Sequence, residues 1–229
     1  MEFDTKEVTE AFPSATVVLV RDGDAGLEVL MVCRSKQVKH MGGMWVFPGG
    51  RVDPEDHQQG GDIYDAALNA AIRETREEAG LDIAADHLFY VSHWTTPEGA
   101  KKRFATWFFV GVLEEHQDVV VDGGEISHHR WVLPAQALEE QKRGELRLMP
   151  PTFISLLELT DFADCATLRA DMSVRDPIIY APRVTDLDGE LHFLYEGDVG
   201  FEDSDPAREG VRHRCIMAQE SLVYIRESQ

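Results

Sequence analysis

The order of elements along the chain predicts an α/β protein: one layered core followed by an appended C-terminal segment. Three observations carry this expectation. Two β-rich runs, 14–21 and 27–34, open the chain around a turn sequence. One long helical segment follows, from a capping Asp62 to about Ala79, with Gly80 at the C-cap position. Strand-like runs then resume at 88–94 and 103–113, before Pro134 opens a second helix to about Lys142. Strands, a helix, more strands and a second helix suit a layered fold of sheet and helices.

The elements follow in order. The five residues Asp22–Gly26 separate the first two strands as a hairpin turn. Trp45–Phe47 forms a short apolar strand between glycine pairs, and 51–61 is a polar loop. Residues 118–121 (DVVV) are β-like, 122–130 read as a loop, and Trp131–Leu133 as a short strand. Pro150-Pro151 marks a seam. Beyond it, helices are expected at 151–160 and 162–171, and strands at 177–182, 189–195 and 212–226. The expected division is a core of residues 1–148 and an extension, 149–229, packed on it.

Composition narrows the function. The chain has 229 residues, with 22 Lys+Arg against 42 Asp+Glu and a net charge of −20. That charge argues against binding nucleic acid polymers or anionic membranes, which would be repelled. It leaves room for a small anionic substrate held by a metal ion or a local basic patch. No apolar run approaches the length of a membrane span. Three widely spaced cysteines, 33, 165 and 215, form no metal-binding or disulfide pattern. Free thiols and a C-terminal Glu227-Ser228-Gln229 that is no organelle address lead to the expectation of a cytoplasmic protein.

The chemistry sits at the end of the long helix. In RETREEAGL, residues 73–81, Glu74, Glu77 and Glu78 stand at i, i+3 and i+4, on one helical face. Like charges at that spacing repel, and anions at a helix C-terminus oppose the macrodipole. The same side carries Ile63, Ala67, Ala70 and Ala71, so it is not simply a solvated acidic stripe. A face that accepts both penalties is a candidate Mg²⁺ or Mn²⁺ site with hard oxygen ligands. Arg73 pairs with Glu77 or orients a ligand carboxylate.

These residues resemble the Nudix box, G-x5-E-x7-R-E-U-x-E-E-x-G-U, where U is a bulky aliphatic residue. Gly50, Arg73, Glu74, Glu77, Glu78, Gly80 and Leu81 match it. In this alignment Asp65 takes the first acidic position, a fourteen-residue spacer follows Gly50 instead of five, and Thr75 replaces the aliphatic residue; Asp65 points away from the glutamate face and is expected to be structural. The resemblance implies an α/β/α sandwich with a mixed sheet. It also implies a metal-dependent hydrolase that cleaves a nucleoside diphosphate linked to another group. The implied metal ligands are Glu74, Glu77, Glu78 and the carbonyl of Gly50, with Arg73 in the catalytic set. The family's later-loop acid corresponds to Glu125, as ligand or general base.

The segment Arg34-Ser35, Gly43 and Phe47-Pro48-Gly49-Gly50 is similar to the signature upstream of the box in coenzyme A diphosphatases, with Lys39 where an arginine is usual. Trp94–Pro97, Arg103–Thr106, Met149–Thr152 and Gly189–Phe193 are similar to the peroxisomal branch of those enzymes. The implied substrate is coenzyme A or acyl-CoA, and the implied phosphate contacts are Arg34, Lys39 and Arg103. Lys101 and Lys102 are read as a solvated loop, and at least two of Trp45, Trp94 and Trp107 as core residues. Two alternatives stand beside this: a pyrophosphatase for ADP-ribose, NADH or another nucleotide, and a Nudix-fold module that binds a nucleotide without cleaving it. The extension either caps the substrate site or builds a homodimer.

Overall fold

The computed structural model describes residues 10–38, 41–219 and 221–227. Its centre is a mixed eight-stranded sheet. Strands β1 (Ala11–Gly23) and β2 (Gly26–Arg34) pair antiparallel around a tight turn at Asp24-Ala25, so the hairpin connection is two residues rather than five. β3 (Trp45–Val46) pairs antiparallel with the end of β2, while β4 (Gly49–Arg51) pairs with the first half of β1. β5 (Leu88–Thr95) and β6 (Arg103–Val112) form an antiparallel pair, and β6 runs parallel to β1 over ten residues. β7 (Ile126–Val132) lines the other side of β2.

Helix α1 (Ile63–Ala79) packs on one face of this sheet. Asp62 caps it by accepting the N–H groups of Tyr64 (2.8 Å) and Asp65 (3.0 Å). Asp65 returns the favour by accepting the N–H of Asp62 at 3.1 Å, which completes a capping box. Gly80 closes the helix in a left-handed conformation, φ 68°. Ala66, Ala67, Ala70 and Ala71 are fully buried, so the helix lies close to Ala15, Val17 and Leu19 of β1. Thr75 is buried there too, and its hydroxyl donates to the Ala71 carbonyl at 2.8 Å. That bond satisfies the polar atom a bulky aliphatic residue would not have.

The opposite face is covered by α2 (Pro134–Lys142), α3 (Pro150–Leu159) and α4 (Cys165–Met172). Two expectations fail here. Residues 118–121 form no strand; the Val120 N–H instead donates to the Ala79 carbonyl (2.8 Å) beside the helix end. The expected loop at 122–130 is strand β7 from Ile126 onward, in register with β2.

Residues beyond α4 enter the same core. β8 (Ile178–Tyr180) joins the main sheet parallel to β5. β9 (Arg183–Leu187), β10 (Glu190–Leu194), β11 (His213–Ala218) and β12 (Ser221–Arg226) make a separate antiparallel sheet. Its Phe193, Tyr195, Cys215 and Leu222 share one apolar cluster with Val18, Met31 and Phe108 of the main sheet. Trp94 is buried and stacks on Tyr180 at 3.8 Å, a core role. A bidentate ion pair between Asp198 and Arg214 anchors the loop before β11. Among the described residues, no helix is long and apolar enough to cross a membrane.

Candidate active site

The carboxylates of α1 meet the β4 loop and the end of β2. Glu78 is buried, and its Oε2 accepts the Gly49 N–H at 2.9 Å. Arg34, at the end of β2, places Nη1 3.9 Å from Glu78 and Nη2 3.0 Å from the exposed Glu125. Glu125 is held by its backbone: the Asp122 carboxylate accepts the N–H groups of Gly124, Glu125 and Ile126. Burial pushes the Glu78 carboxyl up to about 8, helped by the charges of Glu74 and Glu125 and opposed by the Gly49 N–H and Arg34.

Glu74 lies against the backbone of Gly50. A Cβ added at Gly50 would fall 2.2–2.7 Å from the Glu74 carboxylate, so a larger residue would push that carboxylate aside. Burial raises the Glu74 carboxyl, with Glu77 and Asp53 adding to the shift and Arg73 opposing it. Arg73 Nη1 bridges Glu74 (2.8 Å) and Glu77 (3.1 Å). Its Nη2 donates to the Arg51 carbonyl at 3.0 Å.

The other side of Arg73 corrects the alignment given above. Asp56, buried in the loop before the helix, accepts Nε at 3.0 Å and Nη2 at 2.9 Å. The Asp53 N–H and the Asn69 side chain fasten the Asp56 segment further. Burial opposes the charge on Asp56, but hydrogen bonds from Arg73 and the Asp53 N–H hold its carboxyl below the usual range. Five residues, 51–55, separate Gly50 from Asp56, the spacing of the box. The acid that serves Arg73 is therefore Asp56, and Asp65 is a helix-capping residue. The extra nine residues fall after the acid: 57–72 is sixteen residues where the pattern has seven. Counting five from Gly50 would have found Asp56, but the aspartate inside the helical run drew the alignment away.

Arg103 opens β6, with Nε donating to the Thr96 carbonyl at 3.1 Å. Lys39 lies outside the described residues. The site thus draws together Gly50, Arg73, Glu74, Glu77, Glu78, Arg34 and Glu125, and adds Asp56.

The donor set is oxygen only, as Mg²⁺ and Mn²⁺ prefer. Among the described residues no three His, Cys, Asp or Glu side chains converge closely enough to hold a metal as they stand. At Glu74 and Glu77 the physical reason is Arg73, which takes an oxygen of each. The residues nevertheless fit such a cation. Burial and neighbouring anions disfavour the ionised forms of Glu78 and Glu74, a penalty that a divalent ion would relieve.

Comparison with known proteins agrees with this geometry. The model of the NUDIX domain matches residues 11–153. "Putative nudix hydrolase 7" of Caenorhabditis elegans is 24% identical over 241 residues, which cover 90% of this chain and 80% of that protein. "Acyl-coenzyme A diphosphatase NUDT19" of Homo sapiens is 32% identical over 124 residues, 50% of this chain but only 32% of the human protein. The crystal structure of a NUDIX hydrolase from Alicyclobacillus acidocaldarius superposes with a TM-score of 0.64 at 24% identity, covering 73% of this chain and 98% of the other. That likeness establishes the fold. The family match spans strands β1 to β7, α1 and its glutamates together, and on that ground the chain belongs to the Nudix hydrolases, a family of pyrophosphohydrolases.

Proposed function

We propose that the protein hydrolyses the diphosphate of coenzyme A or acyl-CoA, giving 3′,5′-ADP and 4′-phosphopantetheine or its acyl form. The observation that carries this is the placement of Arg34. It is the first residue of the signature that leads to Gly50, and it stands between Glu78 and Glu125 at the mouth of the carboxylate cluster. The human relative's name, an acyl-coenzyme A diphosphatase, supports the same substrate. Within this reading residues 1–148 are the catalytic core and 149–229 the extension.

In the reaction a water oxygen bonds to one phosphorus, and the bridging P–O bond breaks. Glu74, Glu77, Glu78 and the Gly50 carbonyl would hold Mg²⁺ or Mn²⁺. The bound ion supplies charge neutralisation of the diphosphate and a lowered pKa for water. Arg34 offers a guanidinium to a phosphate oxygen, the geometry that suits bidentate recognition. Glu78 and Glu125 both lie beside Arg34, and either carboxylate can accept the proton that water releases. Arg73 acts through others: fixed by Asp56, it sets Glu74 and Glu77.

A substrate panel tests the reading: coenzyme A, acetyl-CoA, ADP-ribose, NADH and a dinucleoside polyphosphate, each with Mg²⁺ and then Mn²⁺. Selective release of 3′,5′-ADP is expected. Preferred cleavage of ADP-ribose or NADH would keep the chemistry and overturn the substrate. The role of Asp56 gives a second expectation. Asp56→Asn should lower kcat/KM by about 10–100-fold, the usual cost of losing a partner behind a metal ligand. Asp65→Asn should leave kcat/KM unchanged, because Asp65 serves only the helix cap. Equal losses in the two variants would contradict this division of roles between Asp56 and Asp65.

A further inference from the structure

We infer that Asp122 is a positioning residue for the reaction: its carboxylate builds the turn that aims Glu125 at Arg34 and Glu78. The inference rests on the role of Glu125 in the proposed hydrolysis, and not on which diphosphate is cleaved. Glu125 is joined to the reaction centre by its side chain. Its Oε2 accepts Arg34 Nη2 at 3.0 Å, and Arg34 Nη1 lies 3.9 Å from Glu78. The charge on Glu125 also helps to raise the Glu78 carboxyl.

The segment Asp122-Gly123-Gly124-Glu125 is by itself a poor mount for a reacting group. Two glycines precede the glutamate, and glycine has the most conformational freedom to lose on ordering. Asp122 supplies the missing constraint. Its Oδ2 accepts the Glu125 N–H at 2.8 Å and the Gly124 N–H at 3.2 Å, and its Oδ1 accepts the Ile126 N–H at 2.8 Å. Three successive donors on one side chain fix the backbone on both sides of the Glu125 Cα. Gly123 makes this closure possible with a left-handed φ of 70°.

The turn is then locked onto β2. The Glu125 carbonyl accepts the Ser35 N–H at 2.7 Å, and the Ser127 hydroxyl donates to the Cys33 carbonyl at 3.2 Å. Between these contacts the β2–β7 register shifts, at Cys33/Arg34. Such irregularities re-aim side chains beside active sites. Asp122 acts as an anion. Burial opposes its charge, but the N–H groups of Glu125, Ile126 and Gly124 outweigh burial and hold its carboxyl below the usual range. Both oxygens therefore stay acceptors. With the backbone set in advance, the Glu125 side chain has only its own rotamers to fix when it engages a water or a cation, and the ordering is complete before substrate arrives. Asp122 itself is exposed, so it can be replaced without opening the core.

A double-mutant cycle on the full chain tests the inference. Asp122→Ala removes all three acceptor contacts and should lower kcat about tenfold, with KM unchanged within about twofold. Asp122→Asn keeps one carbonyl oxygen and should lose less. Glu125→Gln should lower kcat about 10²-fold. Asp122→Ala/Glu125→Gln should match Glu125→Gln within about twofold, because Asp122 acts only through Glu125. Amide hydrogen exchange at residues 124–126 should quicken in Asp122→Ala while Tm stays at the wild-type value. Losses that multiply in the double variant, a wild-type kcat in Asp122→Ala, or unchanged exchange at those amides would overturn the positioning role. The cycle uses whichever diphosphate the wild type cleaves best, so a failed coenzyme A reading leaves the test intact. Glu125→Gln at the wild-type rate would remove Glu125 from the reaction, and the role of Asp122 with it.

Discussion

Glu78→Gln is expected to lower diphosphate hydrolysis by about 10³-fold, close to 4 kcal/mol of transition-state stabilisation. Gln keeps the size of the side chain and can still accept the Gly49 N–H, so the loss reports charge rather than shape. It removes the anion that Arg34 approaches and that the proposed cation requires. The fold should not suffer. Glu78 is buried near the like charges of Glu74 and Glu125, and burial itself opposes its ionised form. In chelator at pH 8, the variant should therefore melt no lower than the wild type. Thermal denaturation and initial rates on one preparation check both halves. A variant with near wild-type rates would remove Glu78 from the reaction; an inactive variant with a much lower Tm would make its role structural.

Asp198→Ala should produce the largest loss of stability, about 3–5 kcal/mol, the cost of leaving a buried charge without its partner. The Asp198 carboxylate accepts four donors: Arg214 Nη2 (2.6 Å), Arg214 Nε (2.7 Å), the His213 N–H (2.8 Å) and the Gly200 N–H (2.9 Å). The Arg214 side chain is only 3% exposed, so water cannot replace the anion. For a chain of this length the loss corresponds to a fall in Tm of roughly 6–20 °C. Asp198→Ala/Arg214→Met should recover part of it, because the stranded cation is gone.

The pH dependence has a definite sign. Burial alone would raise the Asp198 carboxyl, but the bonds from Arg214, Gly200 and His213 outweigh it and hold it below its ordinary value of 3.8. Its contribution is thus present above pH 3.8 and is lost as pH falls through the lower folded value. The gap in Tm between wild type and Asp198→Ala should be full at pH 7 and close in acid. Equal melting temperatures at pH 7 would contradict the anchoring role.

Elements with a local signal were readable from residues alone. The ends of α1 follow from Asp62 and Gly80, and its glutamates from their spacing. β4 was not, because Gly49-Gly50 carries no strand preference. Its identity comes from contact: a Cβ at Gly49 would stand 2.4 Å from the Ala15 carbonyl oxygen. The polar run Ser127–Arg130 hid most of β7, whose outward side chains lack the apolar alternation of a core strand. Conversely, Val119–Val121 look like a strand but find no partner, and cover the end of α1 instead. Asp198 and Arg214 are sixteen residues apart, and nothing local marks them as a pair.

In the candidate site the glutamate triplet was evident from helical geometry. The union of Arg34, Glu78 and Glu125 is a product of the β2–β7 pairing, which brings residues 34 and 126 into register. Asp56 was concealed by the long segment between it and Arg73, whose closure costs little as length grows.

Manganese binding to the chelator-stripped protein tests most directly whether the carboxylate cluster is a metal-dependent reaction centre. Free Mn²⁺ has a six-line paramagnetic resonance signal that is lost on binding. Titration of the wild type should remove that signal saturably, with coenzyme A hydrolysis rising in proportion to the bound ion. Glu78→Gln should bind at least tenfold more weakly, the shift expected when a charged ligand becomes neutral. Hydrolysis at full rate in the stripped protein, or identical manganese binding by wild type and variant, would contradict the account.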